Sequence, residues 1–185
     1  RISYVLGLHG ACEAIDTACS AALVALHSAH RAAQLSDCEN AIVAGVNAML
    51  IPRTLDSYAA AGLTSPTGKS FVLDARADGF ARGEGCGAAV LRASGSAESY
   101  ARRIAGSAVR QDGRSASLTA PNGRAQKLLL DAVMADAGMT PSDVQLLEAA
   151  ANGSPMGDAI EAGAMVAAVL SSRGSAPLPV GGTKA

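Results

Sequence analysis

Apolar residues recur through 18–33 with few polar interruptions, which predicts a helix buried on more than one face. A β-rich run over 40–46 follows it and ends at Gly45-Val46-Asn47. Residues 53–87 are polar and turn-rich, punctuated by Pro66, Gly68, Gly79, Gly83 and Gly85, and read as a long glycine-rich loop of the kind that carries function. The apolar run 88–91 then predicts a buried strand, and 104–109 a further strand, before a polar loop over 111–122. Residues 125–137 read as a helix stopped by Gly138, with Pro141 just beyond. Residues 144–149 read as a strand, followed by the turn Asn152-Gly153-Ser154-Pro155. The next helix is expected to open at Asp158, where Glu161 three residues on gives a capping-box-like start, and Ile160, Ala164 and Ala167 share one of its faces. Strands alternating with helices indicate the α/β class, a sheet covered by helices. The tail over 171–185 is richer in Ser, Gly and Pro, and the last expected strand stops as soon as it forms at Gly181-Gly182-Thr183-Lys184-Ala185.

Composition adds bounds to that pattern. With 185 residues, 49% hydrophobic content and a mean hydropathy of +0.23, the chain is expected to be globular with a sizeable, finely packed core. Fifteen basic residues against 16 acidic ones, with no basic stripe interleaved with aromatics, argue against a nucleic-acid partner. No apolar run reaches the roughly 18 residues of a membrane span, and the most apolar segment, 159–170, is broken by Glu161 and Gly163. A soluble chain of the cytoplasm or an organelle matrix, the plastid included, is expected. The chain opens on Arg1 with no signal-like start, so its native N-terminus is expected upstream. Cys12, Cys19, Cys38 and Cys86 form no CxxC pair and lack histidines at ligand spacing, which signals neither a zinc site nor a disulfide framework.

Cys19 carries the chemistry. It opens the first predicted helix in Asp16-Thr17-Ala18-Cys19-Ser20, where backbone N–H groups stabilise a thiolate, the form able to hold an acyl group as a thioester. The plain alternative is an inert buried cysteine packing as a small hydrophobe. Asp16 and Thr17 are expected to fix the turn and the helix entry. Asp78 and Glu84 read as carboxylates bonded to loop backbone, and His9, His27 and His30 as ordinary core or surface histidines. A dinucleotide reading of Gly83-Glu84-Gly85-Cys86-Gly87 fails on spacing and on the absence of a following helix.

Several segments in register resemble the β-ketoacyl synthase (ketosynthase) domains of modular polyketide synthases and their fatty-acid relatives. They are the stretch from Arg1-Ile2-Ser3-Tyr4 to Asp16-Thr17-Ala18-Cys19-Ser20 with Leu23-Val24-Ala25-Leu26-His27, and the loop of Asp74-Ala75-Arg76-Ala77-Asp78-Gly79-Phe80 and Arg82-Gly83-Glu84-Gly85-Cys86-Gly87. With them go Gly106-Ser107-Ala108-Val109-Arg110-Gln111-Asp112-Gly113 and Leu118-Thr119-Ala120-Pro121-Asn122-Gly123. The resemblance implies a thiolase-like layered fold of two similar α/β halves, present here incompletely as the end of the first half plus most of the second, with a half boundary near 95–103. It also implies a strand just before the nucleophile through which such domains commonly dimerise.

By the same resemblance the chemistry is acyl transfer to Cys19 from the phosphopantetheine of an acyl carrier protein, with no cofactor bound by the chain itself. Decarboxylation of a malonyl extender and Claisen condensation follow, with two histidines stabilising the enolate. The segment that would hold the first is Glu148-Ala149-Ala150-Ala151-Asn152-Gly153-Ser154-Pro155-Met156-Gly157-Asp158, and the histidine position is Ala150. A methyl group donates no hydrogen bond, and losing one such donor costs about 2.7 to 4 kcal/mol. Lys184 matches the family's lysine ahead of the second histidine, a position that none of these 185 residues occupies. Two functions follow from different classes. One is an acyl-transfer enzyme with condensation lost or impaired. The other is a non-catalytic ketosynthase-derived component of a larger complex, self-associating or joined to other chains that cover its open sheet edges.

Overall fold

The computed structural model describes residues 1–93, 102–174 and 176–184. The chain divides into two compact units, one of residues 1–48 and 84–104, the other of residues 49–83 and 105–185. Most of the segment 95–103, where a half boundary was expected, lies outside the described residues.

In the first unit a short helix α1 (Ile2–Leu6) ends on Gly7, and a single 3-10 turn, Ala18–Ser20, leads into helix α2 (Ala21–Gln34). Strand β1 (Asn40–Asn47) pairs antiparallel with β2 (Gly85–Arg92), Asn40 opposite Arg92 and Asn47 opposite Gly85. Helix α2 lies on one face of this ribbon. A Cβ on Gly45 would stand 2.9 Å from that of Ala22, so the absent side chain lets helix and strand approach closely. Val43, on the same face, is buried.

The expected strand over 88–91 exists but is exposed. Ile42, Val46 and Val90 point to the ribbon's other face, which no element among the described residues of this unit covers. The strand expected just before the nucleophile is absent, because the backbone of 11–17 finds no ladder partner among the described residues.

In the second unit, helix α3 (Pro52–Ala60) occupies the start of the stretch read as loop. Pro52 at its first position presets φ, and its polar face hid the helical period. Tyr58 on α3 packs edge-on against Phe80 at 6.4 Å, and Arg82 lies 4.5 Å over the Tyr58 ring. Helix α4 (Gly123–Ala137) is capped by Asn122, whose side chain accepts from the N–H groups of Arg124 and Ala125, and it ends on Gly138 in the left-handed region at φ 64°.

Strands β3 (Leu147–Glu148) and β4 (Val180–Gly181) pair in parallel, so the strand expected over 144–149 is reduced to two residues. Helix α5 (Pro155–Ala168) packs on α4, with Gly123 against Ile160. The strand expected over 104–109 does not form. The backbone there is held by α4 instead: the Ser107 N–H donates to Asp136 at 2.8 Å, and Gly106 lies so close that a Cβ would stand 2.6 Å from the Ala137 nitrogen.

The core is smaller than composition led us to expect. Its apolar members are Val43 in the first unit and Ala149, Ala151, Ala164, Met165, Ala168 and Val169 in the second, while Leu23, Val46, Val90 and Leu118 stay exposed. Among the described residues of the first unit, the two-stranded ribbon has an apolar face with no opposing layer. On α5 the buried stripe takes Ala164 but not Ala167, which is exposed, in contrast to the face expected from sequence. Among the described residues no helix is long and apolar enough to cross a membrane.

Gly79 has φ 128°, and a Cβ there would stand 2.6 Å from the Ser65 nitrogen and the Thr64 carbonyl carbon. Gly79→Ala is expected to lower stability by about 2 kcal/mol or more, while Gly83→Ala, with open space around it, changes it by less than about 1 kcal/mol. Urea denaturation of the two variants checks both.

Candidate active site

The turn that carries Cys19 is built by its neighbours. Ala18 has a positive φ of 55°, a conformation a non-glycine residue holds only when its surroundings impose it. They do so here. Asp16 Oδ1 accepts the Ala18 N–H at 3.2 Å, and the Ser20 hydroxyl donates to the Thr17 carbonyl at 3.0 Å and meets the Thr17 hydroxyl at 2.8 Å. Asp16 and Thr17 therefore fix the helix entry, as their residue types suggested. Cys19 lies in the 3-10 turn one step ahead of α2 rather than in the α-helix itself, and it is exposed. His30 is buried on α2 and His27 half-buried, each with a partner, and His9 is in the exposed loop.

The second unit brings the other two singled-out positions together. Lys184 Nζ donates to the Ala150 carbonyl at 2.5 Å, so the lysine and the residue at the histidine position share a hydrogen bond. Ala150 is held from its other side as well. Glu161, on α5, accepts the Ala150 N–H on Oε1 at 2.7 Å and the Ala151 N–H on Oε2 at 2.8 Å.

Asp158 continues the series, accepting the N–H groups of Asn152 at 3.1 Å, Gly153 at 3.1 Å and Ser154 at 3.3 Å, and that of Leu73 from the glycine-rich loop at 2.9 Å. Asp158 is 5% exposed and has no cationic partner among the described residues; four backbone dipoles compensate its burial.

Sequence reasoning placed Asp158 and Glu161 as a helix start and missed this role. The helix begins instead at Pro155, with Ser154 as its cap accepting the Gly157 N–H at 3.2 Å, which leaves both carboxylates free to reach back along the loop. A signal was present: five consecutive residues with no long side chain, Ala150-Ala151-Asn152-Gly153-Ser154, carry a row of amides that needs acceptors, and two acids follow at helical spacing. Glu148 works the same way on the far side, accepting the Thr183 N–H at 2.7 Å.

Other motif residues bond within their own loops. Asp74 and Arg76 form a two-pronged pair, Nε to Oδ1 at 3.0 Å and Nη2 to Oδ2 at 2.7 Å, and the guanidinium lies 4.6 Å over Phe71. The side-chain bond from Arg76, then its backbone N–H, hold the Asp74 carboxyl down at about 2 from the ordinary 3.8. Asp112 accepts the Asn122 N–H at 3.1 Å, cinching the polar loop ahead of α4. Asp78 and Glu84 lie in the loop and just ahead of β2, and Gly85 to Gly87 lie inside β2, which excludes a phosphate-cradling turn into a helix. Among the described residues no three His, Cys, Asp or Glu side chains cluster at metal-binding distance.

Comparison with known proteins identifies the family. The profile of the beta-ketoacyl synthase N-terminal domain matches residues 1–97 and that of the C-terminal domain residues 100–185. The chain belongs to the β-ketoacyl synthase family and carries part of its thiolase-like fold. It is 44% identical over 170 residues to polyketide synthase ThaG of Burkholderia thailandensis, covering 89% of this chain and 3% of that protein. To polyketide synthase GfsA of Streptomyces halstedii it is 43% identical over 188 residues, covering 100% of this chain and 2% of that protein.

Among solved structures, the oxazolomycin ketosynthase domain OzmH KS7 of Streptomyces albus JA3453 superposes with a TM-score of 0.92 at 33% identity, covering 99% of this chain and 32% of that one. The ketosynthase from module 6 of the bacillaene synthase of Bacillus subtilis 168 gives a TM-score of 0.90 at 31% identity, covering 99% and 34%. The chain thus spans about a third of those ketosynthases and a small part of the polyketide synthases it matches. The relatives named above are polyketide synthases.

Removing the Asp158 carboxylate leaves four amides without their acceptor. Asp158→Ala is expected to cost about 3 kcal/mol or more and Asp158→Asn less, because the amide keeps one acceptor oxygen; chemical denaturation orders the two. The pH response of Asp74 has a definite sign. Its folded value lies below the ordinary one, so its contribution to stability is full above about pH 4 and is lost as pH falls toward 2. Carboxyl-detected NMR is expected to place the Asp74 midpoint near 2, and in Arg76→Ala to return it toward 3.8.

Proposed function

We propose that this chain is the part of a polyketide-type ketosynthase that takes an acyl group from the phosphopantetheine thioester of an acyl carrier protein onto Cys19, and that decarboxylative condensation is impaired. The thiolate of Cys19 attacks the thioester carbonyl, the tetrahedral oxyanion collapses, and the pantetheine sulfur leaves and takes up a proton. The observation that carries this reading is the exposed thiol on a strained turn that Asp16, Thr17 and Ser20 hold in place.

Impairment of condensation rests on Ala150. Loss of carbon dioxide from a malonyl thioester leaves an enolate, and a methyl group offers it no donor. Lys184, bonded to the Ala150 carbonyl, serves in this reading as part of the same site.

A second reading, a non-catalytic ketosynthase-derived component of an assembly, is favoured by one observation: the uncovered apolar face of Ile42, Val46 and Val90, which suits association with other chains. One measurement separates the two. Incubation of the full-length protein with an acyl-carrier thioester, followed by intact-protein mass spectrometry, is expected to show one acyl mass added, absent in Cys19→Ala. Condensation product is expected about 10²- to 10³-fold below that of a histidine-bearing ketosynthase. A protein that stays unacylated at saturating donor overturns the acyl-transfer reading and leaves the structural one.

A further inference from the structure

We draw no further inference here: the strongest candidate, the exposed apolar face of the β1–β2 ribbon formed by Ile42, Val46 and Val90 with the exposed Cys86 opposite Val46, carries none because nothing in the structure shows what covers it.

Discussion

Two carboxylates on α5 hold the second unit's site together. Asp158 and Glu161 between them accept five consecutive backbone N–H groups, from 150 to 154, and Asp158 adds Leu73 from a loop 85 residues away in sequence. A loop of small residues cannot hold its shape by side-chain packing, since Ala, Asn, Gly and Ser bury little area. Charge-assisted hydrogen bonds to the backbone take over that function, and they fix direction as well as distance. Every feature of this site follows from them: the outward methyl of Ala150, the accessible carbonyl that meets Lys184, and the docking of the glycine-rich loop. Gly153 shows how tight that docking is, since a Cβ there would stand 2.7 Å from the Gly79 carbonyl oxygen, and the Gly79 N–H in turn donates to the Gly153 carbonyl.

How much of this was legible in the sequence depended on whether the determining contacts were local. Helix α4 was read almost to the residue, because its stop at Gly138 is a property of the chain at that point: a left-handed turn that glycine enters without strain. β1 and α2 were legible for the same reason, from period and composition. The strand expected over 104–109 was not, because apolar alternation says only that a segment suits a sheet and not whether a neighbouring strand exists; here Asp136 and the end of α4 hold the segment instead. Helix α3 escaped because its start is marked only by Pro52 after an extended Ile51, and its inner side rests on two aromatic contacts from residues 22 and 24 positions beyond Tyr58.

The site was half legible. Motif register singled out Cys19, Ala150 and Lys184, of which the structure brings the last two together, and the residue types of Asp16 and Thr17 declared their turn. The juxtaposition of Lys184 with the Ala150 carbonyl, and the cradle formed by Glu161, depend on the parallel pairing of β3 with β4, a ladder of two residues that brings 147–148 beside 180–181. No local signal encodes a pairing that short. The acids on α5 were misassigned because an acid near a helix start ordinarily serves that start, whereas Ser154 and Pro155 had already satisfied it.

The two units are maintained by different forces. Around residue 150 the geometry is set by directed hydrogen bonds between groups within this chain, several of them sheltered from solvent. In the first unit the two-stranded ribbon of β1 and β2 has only α2 against one face, and its other face presents Ile42, Val46 and Val90 to solvent. An isolated two-stranded ribbon is marginal in water, and uncovered apolar area of this size contributes nothing to folding until something opposes it. The chain spans about a third of ketosynthases it superposes on with TM-scores of 0.90 and above. The position where alanine stands is thus the better encoded of the two, by contacts the chain makes with itself. The turn that keeps its thiol stands in a unit where, among the described residues, the ribbon meets one packed helix, α2, and where Val43 is the buried apolar residue beneath it.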